Sequence, residues 1–227
     1  HTPEEMSIRY SFPTCYIKDL LTCYTTEETT AILEASNAPG VTMIRSRSSA
    51  DPFDVFTLDD NAVIHDYTSS PDYYIQNITS VELTKALASV TPPPQHILDI
   101  CAAPGGKALL AHDIFPSAHL HLNDLTEKKC SFLEENMKKY HVTADITCSP
   151  GEKLHPDKTF DLIILDAPCS NSGVLHKRPE ARWRLTPESL EALKVLQLQL
   201  LHHATTLLSP GGVIWFMTCS ILKKENE

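Results

Sequence analysis

Apolar strands that alternate with helices along most of the chain place the tightest constraint on its fold. Predicted strands cover residues 96–100, 118–122, 142–148, 160–165 and 213–217, and predicted helices cover 107–115, 127–140 and 187–208. Strands that alternate with helices form a parallel sheet, because each helix returns the chain across the sheet. The sequence therefore predicts an α/β fold with a mostly parallel, doubly wound sheet.

The first part of the chain lacks this alternation. The elements predicted there are a helix over 27–35 and strands over 41–45 and 55–58. Ser69-Ser70-Pro71-Asp72 is typical of a hinge. We predict a small α+β subdomain over residues 1–75 and a larger domain over 76–227. Because the chain ends soon after the last predicted strand and would leave an open sheet edge, we expect that C-terminal strands are missing and that the larger domain is truncated.

Residue composition argues against several classes of protein. No apolar stretch approaches the roughly 18 residues that a membrane helix needs, so we expect no membrane partner. The seven cysteines include no Cys-x-x-Cys pair, which argues against a disulfide framework or a zinc site, and we predict no metal. Free thiols are typical of the reducing cytoplasm, where we place the protein. We expect a monomer.

Charge taken as a whole disfavours a nucleic-acid partner, because the net charge is −10. One segment, residues 176–184, is locally basic and includes Arg178, Arg182, Arg184 and an aromatic residue, Trp183. An isolated cluster of this kind is usually a solvated loop. Its position directly after an Asp-Ala-Pro-Cys sequence favours a binding role instead.

The first strand of the larger domain ends in a run of small residues, Cys101-Ala102-Ala103-Pro104-Gly105-Gly106-Lys107. Small residues let the backbone approach a ligand closely, and a following helix presents free N–H groups. The run is not the Gly-x-Gly-x-x-Gly dinucleotide fingerprint. Asp124 ends the next strand, where an acid can bind the ribose hydroxyls of an adenosine cofactor or simply cap a helix. These residues predict a cofactor site.

Two further strand ends present an acid and two cysteines. Asp166 follows an apolar run and precedes Cys169 by three residues, while Cys219 follows the last strand. A cysteine is by default a buried structural residue, and we keep that interpretation for Cys15, Cys23, Cys130 and Cys148. Two cysteines at neighbouring strand ends, one beside an acid, indicate thiol-based covalent chemistry next to the cofactor site.

These motifs closely resemble those of the RNA cytosine-5 methyltransferases of the Sun (RsmB) and NSUN type. The matching segments are Asp99 to Lys107, 166–170, 173–175, 178–180, 182–183, 218–220 and Glu-Asn-Glu at 225–227. The resemblance covers about residues 75–227. Residues 10–60 resemble, more faintly, the small RNA-binding subdomain that precedes the catalytic domain in bacterial members.

The resemblance implies a Rossmann-like fold, S-adenosylmethionine as cofactor and RNA as substrate, with rRNA favoured over tRNA. It implies that Cys219 is the nucleophile, that Cys169 assists proton removal and release, and that Asp166 hydrogen-bonds the cytosine ring. Lys107 would polarise the ring or position Asp166. The implied cofactor site comprises Cys101, Ala102, Ala103, Pro104, Gly105, Gly106, Lys107, Asp124 and Asp166. The implied RNA-binding residues are Arg178, Arg182 and Arg184.

Three positions differ from the family pattern. Ser149-Pro150-Gly151 stands where an acid usually precedes the glycine, Asn77 follows Gln76 where an aspartate is frequent, and Asn171 replaces a glycine. Two other interpretations stay open. One is a weakly catalytic or inactive RNA-binding or ribosome-assembly factor, and the other is a methyltransferase that acts on an exocyclic nitrogen or on protein.

Overall fold

The computed structural model describes residues 2–59 and 62–226, and these form two compact units. The first unit combines the chain up to Gly40 with Ala167–Leu200 and the chain from Met217 onwards. The second unit consists of Val41–Asp166 and Leu201–Phe216. The predicted division into domains at residue 75 stays a prediction.

The first unit opens with three short helices, which are α1 (Pro3–Tyr10), α2 (Thr14–Leu21) and α3 (Thr26–Asn37). Thr2 and Thr25 each form a capping box with a glutamate three residues later, so both helix starts satisfy their free N–H groups. Only α3 was predicted. The helices bury apolar side chains against later segments of the same unit. That core comprises Met6, Tyr10, Phe12, Tyr16, Ile17, Leu20, Leu33, Leu175, Ala181, Leu185, Leu190 and Leu222.

The second unit begins with a small antiparallel sheet. Its elements are β1 (Met43–Ser46), β2 (Val55–Thr57), α4 (Ile64–Thr68) and β3 (Tyr73–Ile75), and the strand order is β2-β1-β3. The two predicted strands are confirmed, whereas β3 was not predicted. Arg45, fully buried in β1, pairs with Asp113 at 2.6 Å and donates to Gln76 Oε1 at 2.8 Å. These bonds compensate for the burial of its charge.

A five-stranded sheet dominates the second unit. The elements that form it, with their connections, are α5 (Ile78–Thr84), β4 (His96–Asp99), α6 (Gly106–Ile114), β5 (His119–Asp124), α7 (Glu127–Lys139), β6 (Ala144–Cys148), β7 (Phe160–Asp166), α8 (Pro187–Thr206) and β8 (Leu208–Met217). The strand order is β6-β5-β4-β7-β8, and β4 pairs in parallel with both β5 and β7. The predicted α/β fold is confirmed.

The junction between α8 and β8 differs from the prediction. The helix was predicted to run to residue 208 but ends at Thr206, and β8 begins at Leu208 although 209–212 had been predicted to be a turn. The backbone N–H of Phe160 donates to the carbonyl oxygen of Leu207 at 2.9 Å. The helix therefore ends where Leu207 bonds to β7. Gly211 has a φ of 82°, which is typical of the third residue of a type II turn, so a turn-like backbone persists within the first part of β8.

The parallel register brings three aspartates to one edge of the sheet. Asp99, Asp124 and Asp166 are the last residues of β4, β5 and β7. Because parallel strands end on the same side, ligands of open α/β sheets bind at this edge. Three of the strand ends that the sequence singled out, those of β4, β5 and β7, therefore lie along one edge of the sheet. Within the described residues, no helix is long and apolar enough to cross a membrane.

Candidate active site

The loop between β4 and α6 depends on its two glycines. Gly105 has a φ of 105°, and a β-carbon there would lie 2.9 Å from Met137 Cε. A β-carbon at Gly106 would lie 2.7 Å from the Tyr74 ring. Gln76, which the sequence did not single out for the site, donates its Nε2 to the Gly106 carbonyl at 3.1 Å. The loop is therefore a closely packed turn that leads into the start of α6.

Asp124 holds the same loop from the neighbouring strand. Its Oδ2 accepts from the backbone N–H of Ala103 at 3.0 Å, and its Oδ1 accepts from Leu125 N at 2.7 Å and Lys129 Nζ at 2.8 Å. The side chain is 3% exposed. Both carboxylate oxygens thus bind protein groups, and the predicted contact with a ribose stays a prediction.

Lys107, in the first turn of α6, forms an ion pair with Asp166 at the end of β7. The two side chains are 19% and 32% exposed, so the pair is shielded but accessible. Asp99 lies nearby and is fully buried, and burial together with the charge of Asp166 raises its pKa to about 7. This cluster places one cation among carboxylates at the ligand-binding edge of the sheet.

The two cysteines that the sequence singled out are direct neighbours within the first unit. Cys169 Sγ and Cys219 Sγ lie 3.0 Å apart although fifty residues separate them in the chain. Their hydrogen bond and burial raise the pKa of the Cys169 thiol. Cys219 Sγ also lies 3.1 Å from Asn171 Oδ1. Cys169 therefore keeps its proton at neutral pH and can donate it to its neighbour.

A buried glutamate ties the two cysteine loops together, and sequence reasoning had not placed it in the site. Glu225 accepts hydrogen bonds from Ser170 N at 2.9 Å, from Ser170 Oγ and Ser220 Oγ at 2.5 Å each, and from Gln197 Nε2 at 3.0 Å. Its side chain is nearly inaccessible. The only signal in the sequence was its place in the Glu-Asn-Glu motif, whose last residue, Glu227, lies outside the described residues.

The three arginines of the basic segment lie in different environments. Arg178 and Arg184 are exposed, whereas Arg182 is buried. Its guanidinium donates to Ser11 O at 3.2 Å and to Asn37 Oδ1 at 3.1 Å, and lies 4.2 Å from the centre of the Phe12 ring. Arg182 thus packs inside the first unit, while its neighbour Trp183 is 69% exposed.

The remaining cysteines lie in other environments, and Cys130 Sγ donates to the carbonyl oxygen of Asp124 at 3.6 Å. Burial raises the pKa of Cys101 to about 12, so this thiol stays protonated and is unsuited to nucleophilic attack. Cys130 is buried as predicted, whereas Cys15 and Cys23 are partly exposed and Cys148 is exposed, so the prediction of a buried residue is wrong for Cys148. Within residues 2–59 and 62–226, no group of three or more His, Cys, Asp or Glu side chains is arranged to hold a metal ion.

The sheet and its ligand-binding edge define the class of the protein as a Rossmann-like, S-adenosylmethionine-dependent methyltransferase fold. A solved methyltransferase homolog from Pyrococcus horikoshii superposes with a TM-score of 0.81, covering 97% of this chain and 78% of that one at 21% identity. NSun6 from the same organism, solved with SFG, superposes with a TM-score of 0.61, covering 70% of this chain and 41% of that one at 27% identity.

The chain belongs to the 16S rRNA methyltransferase RsmB/F family, whose model matches residues 87–227. Ribosomal RNA small subunit methyltransferase B of Proteus mirabilis is 36% identical over 136 residues, which is 59% of this chain. The matched part is 32% of that relative's length, so the chain spans about a third of it. The family resemblance drawn from the strand-end motifs is confirmed.

Proposed function

We propose that the protein transfers a methyl group from S-adenosylmethionine to carbon 5 of a cytosine in RNA through a covalent Cys219–cytosine adduct. The observation that supports this best is the 3.0 Å approach of the Cys169 and Cys219 sulfur atoms. A methyltransferase acting on an oxygen or on an exocyclic nitrogen has no use for two adjacent thiols. Carbon 5 of cytosine, in contrast, is a weak nucleophile that needs covalent activation.

The residues at the sheet edge fit an adenosine-containing cofactor. The Cys101–Lys107 loop has two glycines where a β-carbon would meet Met137 of α7 or Tyr74 of β3, so the loop packs closely and its backbone course is fixed. It leads into the N-terminus of α6, and Asp124 stabilises it from β5. Asp124, Asp166 and the residues from Cys101 to Lys107 would hold the cofactor. When bound, S-adenosylmethionine supplies an electrophilic methyl group.

Each of the chain's reactive groups has a defined task in this proposal. Cys219, as a thiolate, adds to carbon 6 and makes carbon 5 nucleophilic. Asp166, oriented by its ion pair with Lys107, accepts a hydrogen bond from the exocyclic amine. It also accepts one from ring nitrogen 3 once that nitrogen takes a proton from solvent as the adduct forms, and the ring returns that proton when the adduct breaks down. Once Cys219 has bonded to carbon 6, Cys169 loses its thiol proton to solvent. After methylation the Cys169 thiolate accepts the proton from carbon 5, the bond between sulfur and carbon 6 breaks with its electron pair returning to sulfur, and Cys219 leaves as a thiolate.

The RNA would be held by exposed cationic side chains. Arg178 and Arg184 are available for phosphate contacts, and the buried Arg182 would support the segment that presents them. Ribosomal RNA is the proposed substrate and tRNA the alternative. The target base has to leave its stack to reach the half-buried thiol of Cys219.

A covalent-trapping assay tests this function. Wild type, Cys169→Ala and Cys219→Ala are incubated with S-adenosylmethionine and either 16S rRNA or tRNA, and protein–RNA adducts are resolved on a denaturing gel. Cys23→Ala, in the same unit but away from both strand ends, is the matched control. We expect adduct to accumulate with Cys169→Ala, because release is blocked, and to be absent with Cys219→Ala.

The other outcomes separate the alternatives. If the protein–RNA adduct accumulates with Cys219→Ala instead, then Cys169 is the nucleophile and Cys219 assists release. Methylation that persists in Cys219→Ala would contradict a covalent adduct and favour an exocyclic nitrogen or a protein substrate. If wild type neither binds the cofactor in calorimetry nor methylates RNA, the protein is an RNA-binding or assembly factor that keeps the fold.

A further inference from the structure

Asn171 contacts both cysteine loops with its side-chain amide. Its Oδ1 lies 3.1 Å from Cys219 Sγ, and its Nδ2 donates to the carbonyl oxygen of Cys169 at 3.2 Å. Asn171 lies two residues after Cys169, so a single short side chain bridges the two loops. The bridge is independent of the glutamate network, which binds Ser170 and Ser220 instead.

The backbone of Asn171 explains why this residue can reach both partners. Its φ is 59°, in the left-handed region that asparagine adopts more readily than most other residues with a β-carbon. Asn171 contacts the side chain of Cys219, and Gly173 contacts its backbone: the N–H of Gly173 donates to the Cys219 carbonyl oxygen at 2.9 Å. The turn at 169–173 therefore wraps around Cys219 from two directions.

The geometry determines which atom donates each hydrogen bond between the two thiols and Asn171. The Nδ2 group of Asn171 faces a carbonyl oxygen, so its Oδ1 is the atom that faces Cys219 and can only accept. Cys219 therefore donates its single thiol proton to Asn171, and Cys169 must donate to Cys219 across the 3.0 Å contact between the sulfur atoms. The order of donation runs from Cys169 through Cys219 to Asn171.

We infer that Asn171 is a positioning residue that holds Cys219 as an oriented thiol and assigns Cys169 as the proton donor of the pair. This inference rests on the proposed function for its catalytic meaning, because it concerns the nucleophile of that reaction. An oriented sulfur atom needs little reorganisation before it attacks carbon 6. A hydrogen bond that retains the thiol proton also keeps Cys219 unreactive until a substrate displaces it.

The first test measures the reactivity of Cys219 without RNA or cofactor. Wild type, Asn171→Gly and Asn171→Asp are treated with iodoacetamide between about pH 6 and 10, and modification of the Cys219 peptide is followed by mass spectrometry. His141→Gly, at an exposed position with a φ of 55°, is the matched control for a glycine in left-handed backbone. Circular dichroism confirms that each variant is folded.

Opposite shifts are expected for the two variants. Removing the acceptor with Asn171→Gly should lower the pH of half-maximal alkylation by roughly half a unit, because the neutral thiol loses its hydrogen bond. Asn171→Asp should raise it, because a carboxylate disfavours a nearby thiolate. His141→Gly should match wild type. If the two Asn171 profiles coincide with wild type, or shift in the same direction, the inference is wrong.

The second test measures turnover with the RNA substrate. Asn171→Gly should lower kcat by roughly tenfold while the KM for S-adenosylmethionine changes less than about twofold, since only the thiol loses its orientation. Unchanged kcat would overturn the positioning role. If Cys219→Ala still methylates RNA, the proposed function fails, yet the alkylation profiles still decide whether Asn171 holds this thiol.

Discussion

The backbone N–H of Gly173 donates to the carbonyl oxygen of Cys219 at 2.9 Å, and a β-carbon at position 173 would lie 2.9 Å from that same oxygen. The close approach leaves no room for a side chain, because the obstacle is backbone and cannot rotate away. The loop after β7 and the loop after β8 are therefore held at backbone contact, and the 3.0 Å distance between the sulfur atoms of Cys169 and Cys219 depends on this contact.

Gly173→Ala should separate these loops. We expect a loss of about 1–3 kcal/mol in the free energy of unfolding, measured by urea denaturation. We also expect Gly173→Ala to form less protein–RNA adduct than Gly40→Ala in the trapping assay. Gly40→Ala is the matched control, since a β-carbon there would meet the movable side chains of His176 and Lys177. Equal stability losses for both variants would contradict this account.

Glu225→Gln should weaken the link between the same loops through their side chains. The buried carboxylate accepts four hydrogen bonds, and an amide would turn one acceptor into a donor that faces hydroxyl or N–H groups. We expect a loss of roughly 2–4 kcal/mol in unfolding free energy, measured by urea denaturation. Glu191→Gln, at an exposed position in α8, is the matched control and should change the free energy of unfolding by less than about 0.5 kcal/mol.

Asp166→Asn should impair catalysis while the fold persists. The amide keeps the shape of the side chain but removes the charge that pairs with Lys107. We expect kcat/KM for methyl transfer to fall by about 10²–10³, because the proposed mechanism uses the charge of Asp166 to bind the cytosine ring. The exposed Asp157→Asn should retain full activity. A decrease of less than about threefold for Asp166→Asn would remove this residue from the mechanism.

Asp99 should make stability depend on pH. Its pKa is raised to about 7 by burial, above the unfolded value near 4, so the folded state binds the extra proton. Wild type should therefore lose stability relative to Asp99→Asn as pH rises from about 4 through 7, and the two should differ least near pH 4. Urea denaturation across this range measures the difference. A gap that does not widen with pH would show that Asp99 ionises normally.

Arg182 and Trp183 should respond to mutation in opposite ways. Arg182→Ala removes a buried guanidinium that binds Ser11 and Asn37, so we expect a loss of about 2–4 kcal/mol in unfolding free energy. Trp183→Ala should leave stability nearly unchanged and weaken RNA binding by roughly 1–3 kcal/mol if a base stacks on the exposed ring. Urea denaturation and filter binding measure the two quantities. RNA binding unaffected by Trp183→Ala would exclude a stacking role.

The sequence alone was sufficient to predict the second unit's parallel sheet and which strand ends carry Asp99, Asp124 and Asp166. Apolar runs that end in Asp99, Asp124 and Asp166 are local patterns, and parallel pairing then brings their ends together. The helices α1 and α2 were missed because each has only eight residues, too few to show a clear helical period, and they bury their apolar side chains against partners far along the chain. The end of α8 was placed two residues late, since pairing with β7 overrides the local signals.

Local residue patterns were thus enough to predict the family and the fold class and to single out Cys169 and Cys219 from the seven cysteines. Only the tertiary structure decided that Arg182 is buried while Arg178 is exposed, because their sequence environments are equally basic. It alone brought Cys169, Asn171 and Cys219 into one hydrogen-bonded chain. Periodicity along a chain encodes which face of an element is buried, whereas contacts across fifty residues depend on how the loops pack against each other.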